Sequence, residues 1–171
     1  LPKEEIMKDK LKEYIKLNYE NINFKAKRFM ASPLCGESVA IESYAKNIKI
    51  DDYLKDNDKY NDFQTMLFKL IDERNLKDSD VYNKVNIDRR LFSKIRSDKN
   101  YHPSKETVIL LGFSLELSEL EIVELLDSAS YSLPKNNYFD LIIRFCFINK
   151  IYNINNVNEL LYDYDCKLLN V

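Results

Sequence analysis

"KVNIDRRLFSKIRSDKNYHPSK", residues 84–105, carries seven Lys or Arg side chains against two acids, in a chain whose formal net charge is -2. Its reading decides the fold. Asp88 stands where a helix N-cap belongs, and "RRLFSKIRS" follows it. Stepping about 100° per residue from Asp88 puts Leu91, Phe92 and Ile95 on one side of a helix. Arg90, Ser93 and Lys94 fall opposite, with Arg89 and Arg96 on a flank. That is a helix docked by one apolar face and basic on the other. Elsewhere the charge is different: residues 1–63 sum to 0, residues 64–83 to -1 and residues 106–171 to -6. The basic character is local, and its position matters more than the overall pI.

Working outward, helical signals flank this stretch on both sides. Phe63, Met66, Leu67, Leu70 and Ile71 recur at three and four, which predicts a helix from about Tyr60 to Arg74. A short helix follows over 79–85 with Ser79 as its N-cap. Beyond the loop "DKNYHP", Ser104 caps "KETVILLGFSLE", and Ser118 with Glu121 has the spacing of a capping box before "ELEIVELLDSAS". Pro134 breaks the chain ahead of "NYFDLIIRFCFINK", and a last helix runs through "NVNELLYDYD". Toward the other end, residues 4–21 read as an amphipathic helix through Ile6, Leu11, Tyr14, Ile15 and Leu17. Residues 22–52, with Pro33 and Gly36, keep no sustained period and read as a connector. With two glycines and four prolines in 171 residues and 45% hydrophobic side chains, the chain is expected to be all-α and folded. The organisation expected is an N-terminal helix and connector over 1–59, then a helical domain over 60–171.

Several function classes are excluded at this level. No apolar run approaches the roughly 20 residues of a membrane span, and "LPKEEIMKDK" has acids where a secretion signal would be basic. The chain opens on Leu1 rather than Met, which points to a segment of something longer. Cys35, Cys146 and Cys166 are far apart, an odd set that suits a reducing cytoplasm better than a disulfide framework. His102, the single histidine, has no thiol or carboxylate cluster around it, so no metal is expected. It also lacks a nucleophile and an orienting group nearby, and packing within its loop is the expected role. There is no glycine-rich phosphate loop. An enzyme is not expected, and neither is a cofactor. The twelve tyrosines and nine phenylalanines stand mostly at helical core spacing, as in "YFDLIIRFCF" and "ELLYDYD". They read as core rather than as stacking platforms for single strands.

The stretch "LFKLIDERNLKDSDVYNKVNIDRRLFSKIRSDKNYHPSKETVILLGFSLELSELEIVELL" (67–126) resembles the lambda-repressor-like (Cro/C1, XRE) helix-turn-helix domain over roughly residues 63–127. The matching features are Leu76 entering the second helix and Ile87 in the turn. Phe92 and Ile95 face inward on the third helix, "HPSKET" leads into the fourth, and the fifth is capped. A closer likeness is to a bacterial module that often follows a macrodomain and carries text similar to "VYNKVNIDRRLFSKIRS" (81–97). That likeness continues through "FDLIIRFCFINKIYNINNVNELL" (139–161). The resemblance implies a five-helix helix-turn-helix core extended by two C-terminal helices, which pack against the first and fifth helices of that core or form a dimer face. It also implies sequence-specific binding of double-stranded DNA in the manner of a transcription regulator, as a homodimer. Arg89, Arg90, Ser93 and Lys94 would read base edges, and Arg96, Lys99 and Lys105 would hold the backbone.

Some positions depart from that pattern. Asp78 stands where the family usually places a Gln that touches phosphate, and Asp80 follows. Tyr82 replaces a small residue at the contact of helices two and three. Leu91 sits at the edge of the reading face, where it would meet a thymine methyl or a protein. A second class of function is therefore carried beside the first: a protein-interaction module that docks or regulates an attached upstream or partner enzyme domain without binding DNA.

Overall fold

A computed structural model describes residues 3–30 and 62–169, with side chains described for 5–19 in the first segment. Among the described residues every regular element is an α-helix. The helices are α1 (Lys3–Met30), α2 (Phe63–Glu73), α3 (Asp78–Lys84), α4 (Arg89–Ser97), α5 (Lys105–Ser114), α6 (Glu119–Ser128), α7 (Tyr138–Ile148) and α8 (Ile154–Tyr162). α1 runs on through residues 22–30, which the sequence reading assigned to the connector. The rest of that connector, with Pro33, Cys35, Gly36 and the 59/60 boundary, lies outside the described residues.

Local rules account for the helix starts. Asp62, Asp88, Ser104, Asn137 and Asn153 each accept a hydrogen bond from a first-turn backbone N–H of α2, α4, α5, α7 and α8. At α6 the Ser118 hydroxyl accepts from the Glu121 N–H while the Glu121 carboxylate accepts from the Ser118 N–H, a complete capping box. α3 corrects the reading of Ser79. The helix begins a residue earlier, with Lys77 at the N-cap and no side-chain cap bond, and the Ser79 hydroxyl contacts Asp80 at 3.5 Å. Asp78 and Asp80 in the first turn supply the negative charge that the N-terminal dipole favours.

Six helices end in the same way, without glycine. Asn75, Asn86, Glu116, Ser130, Lys150 and Asp165 adopt φ between 48° and 59° after α2, α3, α5, α6, α7 and α8. The next residue (Leu76, Ile87, Leu117, Tyr131, Ile151 or Cys166) then donates its N–H five positions back, at 2.8–3.2 Å. This is the closed helix end that a left-handed residue permits, usually built on Gly and here on costlier side chains. Among the helices whose exits are described, α4 differs, since Asp98 leaves it in extended conformation.

α5 is the centre, buried from Val108 through Ser114. A helix apolar all round must be surrounded. It is: α3, α6 and α7 lie against it, with Phe113 stacked on Phe147 at 4.3 Å between ring centroids. A Cβ on Gly112 would come within 2.4 Å of Ile122 Cδ1 and 3.1 Å of Phe147 Cζ, so α5 approaches both neighbours closely there and a side chain would make the Ile122 tip move. The Ser114 hydroxyl, buried, donates to the Val81 carbonyl at 2.6 Å and pins α3 to α5. α2 packs on α6, and α8 on α7. α7 meets α6, as the sequence led one to expect, but its other side is covered by α1 rather than by the helix at 63–73. Among the described side chains of α1, Leu11 and Ile15 are buried, with Tyr14 against Phe145 at 5.5 Å, whereas Ile6 and Leu17 stay exposed. Lys8 bridges Glu159 at 2.9 Å and Asp163 at 3.0 Å. Tyr162 also departs from its expected core position: it is 73% exposed, because the buried stripe of α8 is Ile154, Val157, Leu160 and Leu161.

Candidate nucleic-acid interface

α4 is fixed from inside by Phe92 and Ile95, both buried. The Phe92 ring meets Phe68 of α2 edge-on at 6.2 Å and Tyr82 of α3 at 5.5 Å. Tyr82, for all its bulk, thus becomes part of the α3–α4 contact instead of prising it open. Ile87, buried in the turn, completes the seam.

The free end of α4 is held by a residue that the sequence reading missed. The Gln64 side-chain amide, on α2, donates to the Ile95 and Arg96 carbonyls, each at 2.6 Å. These are carbonyls a helix C-terminus leaves without partners. α4 lacks the left-handed exit of its neighbours and receives its cap from another helix. The only trace in the sequence is a polar residue directly after the first core position of α2.

With the inner face and the end secured, the outer face is left to solvent. Arg89, Arg90, Ser93 and Lys94 are exposed on α4, and Lys99 is exposed in the loop that follows. Arg89, Arg90 and Lys99 make no ion pair among the described residues, and the Lys94 ammonium lies 4.6 Å from the Tyr101 ring centroid. The structure therefore brings five of the seven expected residues to one side with no carboxylate on them. The other two are engaged. Arg96 donates to Asp78 at 2.5 Å and lies over Phe68 at 3.9 Å. Lys105 reaches the buried Asp140 carboxylate of α7 at 2.6 Å, and Asn137 donates to the same group at 2.7 Å. Between α3 and α4 runs an open groove of about 400 Å³, with Asp78, Tyr82, Arg89 and Arg96 on its walls.

The loop after α4 is braced from behind. The Tyr131 hydroxyl donates to the Pro103 carbonyl at 3.0 Å, and the His102 ring packs against Tyr131 at 5.2 Å, the packing role expected of this histidine. A second opening, lined by Glu116, Glu119, Glu121 and Lys150, has each of its three carboxylates paired: Lys84, Arg144 and Arg74 meet them at 2.6, 2.8 and 2.6 Å. Among the described residues no group of three His, Cys, Asp or Glu could hold a metal ion, and no helix is long and apolar enough to cross a membrane. Cys146 is fully buried, which pushes its thiol up to about 12 and removes it from thiolate chemistry near neutral pH.

No protein-family model, curated protein or solved structure matches the chain. The functional reading rests on the residues themselves.

Proposed function

We propose that the chain binds double-stranded DNA as a helix-turn-helix protein, with α3, the turn at 85–88 and α4 as the two-helix unit and α4 as the reading helix. The observation that carries this is the division of labour on α4. One face is sealed into the core, the end is clamped by Gln64, and the outward side presents Arg89, Arg90, Ser93 and Lys94 with no carboxylate partner among the described residues. A rigid helix with an unpaired basic face is what the major groove accepts. Arg90 would bond a guanine edge with two N–H groups, Ser93 would take a neighbouring base, and Lys94 and Lys99 would meet phosphates. The homodimer that this reading expects would place two copies of α4 about 34 Å apart, one turn of the duplex.

Anisotropy titrations on mixed duplexes at two salt concentrations test the reading. Arg90→Ala should weaken the best site by about 1–3 kcal/mol and relax its preference. Lys99→Ala should weaken all duplexes alike and flatten the salt slope by about one. The second reading, docking to an enzyme domain, draws on Asp78 and Asp80 at the start of α3, and on Leu91, half-buried at the edge of the basic face. Binding that is weak, blind to sequence and indifferent to Arg90→Ala transfers the function to that class, with Leu91 and Arg90 then contacting protein.

A further inference from the structure

Arg96 is set apart from the other cations around α4. Its guanidinium lies over the Phe68 ring and donates to Asp78, at the rim of the groove between α3 and α4. Arg89, Arg90, Lys94 and Lys99, by contrast, meet no carboxylate among the described residues. Asp78 therefore does two things at once. It occupies the one arginine at the C-terminal end of the basic face, and it lays negative charge where the sugar-phosphate backbone would pass. The pair is shallow, with side chains 49% and 35% exposed. Water and salt screen it, and such pairs are weak. A phosphate offers a guanidinium the same two-oxygen acceptor that a carboxylate does. Phe68 supports the flat side of the group whichever acceptor takes its edge.

We propose that Asp78 is a built-in competitor for a DNA phosphate. In the free protein it holds Arg96; on the duplex the guanidinium exchanges Asp78 for a backbone phosphate while staying over Phe68. The proposal rests on the DNA-binding reading above and adds a residue to it whose role is affinity rather than sequence. Every duplex has to displace the same carboxylate and leave it facing phosphate, so Asp78 lowers occupancy of all sites by one common factor. Asp80 supplies the internal comparison. It is exposed, touches the Ser79 hydroxyl at 3.5 Å and has no arginine partner. Its charge opposes phosphate in general but withholds no cation.

The test is anisotropy with the full chain, on its best duplex and on mixed duplexes, at two salt concentrations. Asp78→Asn should tighten binding to both about five- to tenfold at low salt and steepen the dependence of log affinity on log salt by about one. With Arg96→Gln also present, most of that gain should vanish. Asp80→Asn should give a smaller gain that is the same with or without Arg96. Asp78→Ser, whose hydroxyl suits a helix start, repeats the measurement should the first variant lose its circular dichroism signal. Unchanged or weaker binding by a folded Asp78 variant overturns the proposal, as does a gain that persists in full without Arg96. If the parent chain binds and Arg90→Ala weakens it, such a result removes the competitor and leaves the DNA reader standing. If no variant binds any duplex at low salt, both fall.

Discussion

Replacing Phe92 by Ala tests whether α4 is docked as described. The ring is 2% exposed and touches aromatic rings from two other helices, Phe68 on α2 and Tyr82 on α3. Truncation removes the transfer free energy of the ring and leaves a hole, together worth roughly 3–5 kcal/mol for a buried Phe. Two features place the expected loss near the lower end. Phe68 and Tyr82 are only half-buried, so they can lean into the space, and Arg96 can follow Phe68. The aromatic contacts work the other way, each adding about 0.5–1.5 kcal/mol beyond burial. A loss of about 3–4 kcal/mol is the working figure, and at this chain length it corresponds to a fall in Tm of roughly 6–16 °C. Urea unfolding followed by far-ultraviolet circular dichroism measures it directly, with the midpoint shifting and the slope unchanged. A loss below about 1 kcal/mol would mean that α4 presents its other face to the core.

Three further outcomes follow from geometry already given. Gln64→Ala should cost about 1–2 kcal/mol, from two lost hydrogen bonds to carbonyls, and should speed hydrogen exchange in the last turn of α4 more than in α5; uniform exchange would contradict the clamp. Lys150 is exposed with φ 56°, so Lys150→Gly should raise stability by about 1 kcal/mol, read as a higher urea midpoint. Glu121 is pushed up by burial, but the Ser118 N–H and hydroxyl and the Arg74 guanidinium outweigh this and hold its carboxyl below the usual range. A lowered carboxylate stabilises the fold above its unfolded pKa, and the benefit is lost as pH falls through the folded one. The stability gap between the parent chain and Glu121→Gln should therefore shrink from pH 7 toward pH 3, and a gap that widens on acidification would refute the assignment.

What could be read in advance is what short-range chemistry dictates. The Asp88, Ser104 and Ser118–Glu121 caps lie within three residues of the groups they satisfy, and the inward pair Phe92 and Ile95 follows from helical spacing alone. Ser79 was misplaced because Asp78, a residue earlier, begins the helix through its charge rather than through a cap bond. Residues 22–30 of α1 carry too weak a period to announce a helix. Tyr162 was drawn into the core by its neighbours Leu160 and Leu161, although it projects from another side of α8. The long-range side-chain pairings were not legible. Gln64 meets α4 across 31 positions, and Asp78 meets Arg96 across 18. From the sequence Asp78 was an obstacle to phosphate; only the fold makes it the partner of Arg96.

The packing of α1 on α7 has a consequence for the order in which the molecule is completed during its synthesis. Lys8 and Tyr14 are translated well before their partners, Glu159 and Asp163 for Lys8 and Phe145 for Tyr14. At ordinary rates of elongation the delay is on the order of ten seconds, far longer than a helix takes to form. α2 to α6 can assemble around α5 in that interval. The apolar stripe of α1 meanwhile lacks the α7 surface on which it packs in the folded chain. α7, arriving between α1 and α6, then closes both surfaces in a single event.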